Sequence, residues 1–151
     1  MKKQILSIVA TLTLILPISI IGFAGVSGRV SAEIPFDFFV GSKEFKAGRY
    51  TVSRLSDGKS LDTLIIRSAE DGESANFNVN NVYGKGEPQA KLIFNRYGNQ
   101  YFLAQIFDGE SEQGSALGKS KAEREAAKKR DIITQNAAGP EVVTIAALIE
   151  R

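Results

Sequence analysis

The chain has 151 residues, 43% of them hydrophobic, with 19 Lys and Arg against 17 Asp and Glu and no His, Cys or Trp. That length accommodates one domain. The absence of Cys excludes disulfides, thiol nucleophiles, Fe–S clusters and a lipid-modified cysteine, and the absence of His excludes Ser-His-Asp and Cys-His catalysis and the usual zinc sites.

The first segment, MKKQILSIVATLTLILPISIIGFAGVSGRVSA, has the parts of a secretory signal. Lys2 and Lys3 supply a positive end, Ile5 to Val26 is apolar and uncharged, and Val30-Ser31-Ala32 offers small residues to a peptidase. Residues 1–32 are therefore read as a signal peptide, with Glu33 as the new N-terminus and 33–151 as a single β-rich domain. The alternative is an uncleaved anchor, because a bilayer crossing takes roughly 17–25 residues. Pro17 and the small-residue tail favour cleavage, although the apolar part of a signal is usually shorter than this one. The domain is thus expected outside the cytoplasm, in the periplasm or beyond. Removal of 1–32 takes Lys2, Lys3 and Arg29 with it, leaving sixteen basic side chains against seventeen acidic ones, a net charge of −1. No nucleic-acid partner is expected from that balance.

From Glu33 the chain reads as short strands between turns. EIPFDFFV puts Ile34, Phe36, Phe38 and Val40 on one face, and Pro35 places that strand at its start or along a sheet edge. GSKEFKAG turns the chain into RYTVSRL, where Tyr50 and Val52 share a face. SDGKS is a second turn, DTLIIRS a compact strand, and AEDGES a third turn through Asp-Gly. ANFNVNNV alternates, with Ala75, Phe77 and Val79 inward and Asn76, Asn78 and Asn80 outward.

AKLIFNRY and QYFLAQIF are joined by Gly98-Asn99, which fits a type II′ hairpin turn. This register sets Arg96 opposite Tyr101 and Phe94 opposite Leu103. It predicts a cross-strand cation–π contact of about 0.5–1 kcal/mol.

DGESEQGSALG reads as a loop. KSKAEREAAKKR then reads as a helix over about 119–131, opened by a Ser120–Glu123 capping box, with only Ala122, Ala126 and Ala127 as its apolar face. After Gly139-Pro140, EVVTIAALI is apolar on both faces, which predicts a central, doubly covered strand. The fold class expected is mainly β: a single antiparallel β-sandwich or barrel of about seven strands with one late α-helix, preceded by the signal segment.

Each candidate site has a plainer reading. GSALGKS lacks the first glycine of a phosphate-binding loop, since position 113 is Gln, so it serves as helix capping. DGESE sets carboxylates at alternate positions but lacks the rest of a calcium loop. Asp37 lies between phenylalanines and should face solvent by alternation, so it is a weak choice for carboxylate catalysis. The basic run 119–130 resembles a solvated face more than a membrane-binding one, having only alanine on its apolar side. No metal, cofactor or catalytic residue is assigned. Arg96, Tyr97 and Tyr101 mainly make the hairpin, yet Arg and aromatic residues are enriched at binding hot spots. Together with the row Asn76, Asn78 and Asn80 they form the expected interaction surface.

Three stretches, IPFDFFVGSKEFKAGRYTV, KLIFNRYGNQYFL and LGKSKAERE, resemble in order a family of small exported bacterial proteins without an established activity. The match spans Ile34 to Glu125 and departs at Gly118, where the family pattern has proline. The resemblance implies an extracytoplasmic β-rich domain and transfers no catalytic residue. The function expected is non-enzymatic surface interaction in the cell envelope, with an envelope protein or glycan as partner. Membrane contact would come only through an uncleaved signal or the basic helix. The first alternative is a module binding a glycan or a small apolar molecule in a lumen near Phe38, Phe77 and Phe102. The second is a hydrolase using carboxylates alone. For an interaction module, the strand from Ile34 to Val40 is the candidate edge.

Overall fold

The structure, a computed structural model, describes residues 28–55, 62–85, 88–134 and 139–150. Most of the expected signal (residues 1–27) and the turn at 56–60 lie outside the described residues. Among those described, no helix is long and apolar enough to cross a membrane.

The described residues form eleven strands and one helix. In order these are β1 (Arg29–Ile34), β2 (Phe38–Val40), β3 (Lys43–Phe45), β4 (Gly48–Arg54), β5 (Thr63–Ser68) and β6 (Ser74–Tyr83). Then come β7 (Ala90–Tyr97), β8 (Gln100–Asp108), β9 (Gln113–Leu117), α1 (Lys121–Thr134), β10 (Glu141–Ala146) and β11 (Leu148–Glu150). The hydrogen-bonded path is open and runs β10-β7-β8-β9-β6-β5-β4-β1-β11, with β2 and β3 attached beside β8.

Two strands change partner midway and divide this path into two leaves. β6 pairs β5 from Ser74 to Asn78 and β9 from Val79 to Tyr83. The terminal segment does the same. β10 pairs β7 from Glu141 to Ala146, the Ala147 N–H donates to the Ala90 carbonyl at 3.0 Å, and β11 pairs β1 through Leu148, Ile149 and Glu150. The first leaf is β11-β1-β4-β5 with the start of β6. The second is the rest of β6 with β9-β8-β7-β10.

The inner faces meet in one core. Alternation delivers Val30, Ala32 and Ile34 from β1, Tyr50 and Val52 from β4, and Leu64 and Ile66 from β5, facing Leu92 and Phe94 of β7 and Leu103 and Ile106 of β8. The β2–β3 hairpin adds Phe38, Val40 and Phe45. Phe38 packs in T-shaped contacts against Tyr50 and Phe94, with centroids 5.0 and 5.5 Å away. Asp37 faces outward, as alternation predicts, and ties this hairpin's ends together. Its carboxylate accepts from the Ala47 N–H and from Lys46 Nζ, both at 2.9 Å. The Lys46 hydrogen bond first, then the Ala47 N–H, hold its pKa below the ordinary carboxylate range.

The strand count departs from the expected seven for identifiable reasons. Pro35 to Asp37 interrupt the expected strand 33–40, so the burial alternation continues through Phe36 while the pairing does not. β3 and β9 were hidden in GSKEFKAG and GSALG because their small and charged residues show no apolar alternation. In β9 a Cβ on Gly114 would lie 2.6 Å from the Ile106 carbonyl oxygen, so only glycine lets β8 and β9 approach here. The Ile34–Val40 edge is also corrected: Ile34, Phe38 and Val40 are buried, and β2 pairs both β3 and β8. Finally, EVVTIAALI is neither continuous nor doubly covered. It ends the path, and Val142 and Leu148 are 61% and 75% exposed.

Phe38→Ala should lower unfolding free energy by about 3–5 kcal/mol, as deletion of a buried ring does. Val142→Ala should stay within about 0.5 kcal/mol, as at exposed positions. Urea unfolding of both variants checks this; a large loss at Val142 would restore the covered central strand. Acid titration gives a second check. Asp37 has a depressed folded pKa, so its stabilisation is complete above the ordinary carboxylate range and lost as pH falls through that range. Asp37→Asn should therefore flatten the stability-against-pH curve on the acid side.

Candidate functional site

The β7–β8 hairpin forms in the register the sequence predicts, with Arg96 opposite Tyr101, Phe94 opposite Leu103, and Gly98 at φ +65°. Its side chains are occupied by structure. The Arg96 guanidinium lies 5.4 Å from the Tyr101 ring, donates from Nε to the Gly98 carbonyl at 2.8 Å, and pairs with Glu141 at 3.3 Å. Tyr101 stacks on Phe36 at 3.9 Å.

Tyr97 projects to the opposite side of β7, beneath α1, and is only 4% exposed. There the Glu123 carboxylate, itself buried, accepts from Asn95 Nδ2 at 2.8 Å and the Tyr97 hydroxyl at 3.2 Å. Ser120 Oγ accepts the Glu123 N–H at 3.1 Å, so Ser120 caps α1 while the Glu123 side chain docks the helix instead of closing a capping box. Burial first, then the Glu123 charge, raises the Tyr97 pKa above the ordinary tyrosine range, against a lowering contact from Lys119. Ala122, Ala126 and Ala127 complete this second cluster with Phe39 and Phe102, as the helix's narrow apolar face predicts. The helix runs on to Thr134, where Ile132 and Ile133 are exposed.

Asn76, Asn78 and Asn80 do point outward from β6, but on another part of the molecule; Asn78 Oδ1 accepts from the Thr63 hydroxyl at 3.0 Å. The structure thus separates the expected surface into three. Arg96 and Tyr101 lie at the hairpin, Tyr97 beneath the helix, and the asparagines along β6. The lumen expected near Phe38, Phe77 and Phe102 is likewise absent from the described depressions. Phe38 fills the core while Phe102 lies under α1.

Sequence reasoning missed a different surface. α1 and Phe39 cover part of the second leaf, whereas among the described residues no element covers the outer face of the first leaf. Cross-strand register sets Ser31 and Arg67 on either side of Thr51, and Ile65 beside Ser53. Arg29, Thr51, Ser53, Ile65 and Arg67 line a depression of about 340 Å³. Arg29 reaches Glu150 only at 4.0 Å, and Arg49 is engaged by Glu33 at 3.2 Å. Among the described residues Arg67 is exposed and has neither an ion pair nor a side-chain hydrogen bond. A groove of about 680 Å³ continues along the β1–β11 seam, past Leu148 and Ala146. The signal that could have found this face is the Ser/Thr/Arg alternation in RYTVSR and TLIIRS, together with Arg29, which had been assigned to the signal peptide. Among the described residues no group of three or more carboxylates gathers where it could hold a metal ion.

No protein-family model, no curated protein and no solved structure matches this chain.

Glu123→Ala leaves the half-buried Asn95 amide and the buried Tyr97 hydroxyl without this acceptor, and should lower stability by about 1–3 kcal/mol in thermal or denaturant unfolding. Tyr97, with a raised folded pKa, contributes stability that is complete below the ordinary tyrosine range and lost as pH rises through its folded pKa. Tyr97→Phe should remove its share of that alkaline loss, leaving the share due to Tyr50, whose pKa burial also raises.

Proposed function

We propose that this protein is an exported, non-enzymatic binding module. It acts in the cell envelope through the outer face of its first leaf, on a glycan or protein that presents acidic groups. In this reading the two leaves form a sandwich joined along both margins by strands that switch sheets, β6 and the terminal segment. The resemblance to exported bacterial proteins fits the same setting.

The observation that carries the proposal is Arg67, a guanidinium that has no ion pair among the described residues and lies beside a floor of hydroxyls on a sheet face that no described element covers. A guanidinium presents a fork of donors matched to carboxylate, sulfate and phosphate oxygens. Thr51 and Ser53 add neutral donors, and Arg29, weakly held by Glu150, adds a second positive charge. The flat face suits an extended polymer better than a small enclosed ligand. The packed interior does not favour a lumenal apolar ligand. Asp37, the candidate carboxylate of the sequence, holds the β2–β3 hairpin, and the buried carboxylates Glu123 and Asp108 accept hydrogen bonds from Asn95 and Tyr97 and from the Glu110 N–H.

Calorimetric titration of the exported protein with uronic-acid and sulfated polysaccharides tests this. Binding should weaken as salt rises, because exposed charges are screened over about 8–10 Å at physiological ionic strength. Arg67→Ala should weaken it about tenfold, the equivalent of one charge-assisted hydrogen bond. Arg96→Ala should lower stability and leave binding unchanged. Equal affinity of the Arg67→Ala variant, or no binding at low salt, would contradict the proposal.

A further inference from the structure

β1 places a constraint on how the chain can be processed. Four positions in the leader have the small residues that a signal peptidase needs one and three places before its cut. Val30 with Ala32 releases Glu33. Gly22 with Ala24, Gly25 with Ser27 and Val26 with Gly28 release Gly25, Gly28 and Arg29 in turn.

The first would cut through β1. It would remove Arg29 to Ala32, and with them Val30 and Ala32, which are 1% and 5% exposed in the core. It would also remove every residue that pairs with β11, since Arg29, Val30 and Ser31 face Glu150, Ile149 and Leu148. Three of the β1–β4 pairs, at Val30, Ser31 and Ala32, would go as well. Strand β11 would then have no hydrogen-bonded strand partner among the described residues. Arg29 would be lost from the polar face.

The other three positions leave all of this intact. Leaders ending at Ala24, Ser27 or Gly28 also fall within the roughly 15–30 residues usual for signal peptides, which a 32-residue leader exceeds.

We propose that the exported chain is cut upstream of Arg29, at the bond after Ala24, Ser27 or Gly28, and that Val30-Ser31-Ala32 is a strand of the mature fold and not a peptidase recognition sequence. In the step, water adds across that peptide bond, giving a carboxylate on the leader and an ammonium on the mature chain. The mature chain keeps Arg29 and loses only Lys2 and Lys3 of the basic residues, so it carries seventeen basic and seventeen acidic side chains and is formally neutral.

The test is intact-mass and N-terminal peptide analysis of the full chain, tagged at its C-terminus and recovered after export. A terminus at Gly25, Gly28 or Arg29 is expected. A terminus at Glu33, or an uncut chain beginning at Met1, would overturn the proposal. A second arm combines Ala24→Leu, Ser27→Leu and Gly28→Leu, bulky residues upstream of every described strand. Precursor should accumulate, with the mature species lost. Undiminished release of a Glu33 terminus from that variant would equally overturn the assignment.

Discussion

The fold depends on a terminal segment that serves two sheets at once. Glu141 to Ala146 hydrogen-bond to β7, Ala147 bridges to Ala90, and Leu148 to Glu150 hydrogen-bond to β1. The first and last strands of the hydrogen-bonded path are therefore separated by one residue. Backbone donors and acceptors at sheet margins must be paired or wet. This segment satisfies part of both margins with a single pass of chain, while β6 performs the corresponding change of partner on the far side. Core burial supplies the driving force, at about 25 cal/mol per Å² of apolar surface. No disulfide assists it, because the chain contains no cysteine.

The same architecture sorts the polar surface into structural and available groups. Arg96 is held by a ring, a carbonyl and a carboxylate, and Glu123 by an amide and a phenol, so both are committed to the fold. The charges on the first leaf are differently placed. Exposed ion pairs are worth about 0–1 kcal/mol, so Arg29–Glu150 and Arg49–Glu33 add little stability. Their weak commitment, and the absence of any ion pair at Arg67 among the described residues, are what support the proposal that this face contacts a partner. The proposed processing and the proposed binding meet at β1, because the strand that pairs both β4 and β11 also carries Arg29.

Much of this was legible in the sequence. The alternation at Ile34, Phe38 and Val40, at Tyr50 and Val52, and at Val79 placed the core correctly, because burial of one sheet face leaves a direct mark every second residue. The hairpin register followed from Gly98-Asn99, and the helix face from three alanines. The missed features share a physical cause. β9 is buried through close backbone approach at Gly114, which has no side chain to reveal it. β1 was hidden because small residues suit a peptidase and a packed strand equally. The terminal segment looked central because its apolar outer side chains resemble those of a doubly covered strand. Only the pairing shows them to be at the end of the path. The face with Arg67 was missed because its residues belong to β1, β4 and β5 and are neighbours only across strands.

Hydrogen exchange on the full chain, resolved by peptide, tests the central claim that β1 and the terminal segment are integral to the sheet. Backbone amides in Arg29–Ala32 and Leu148–Glu150 should be protected together with those of β4 and β7, opening only in concert with the core. Rapid exchange confined to those two stretches, with β4 and β7 still protected, would contradict the account.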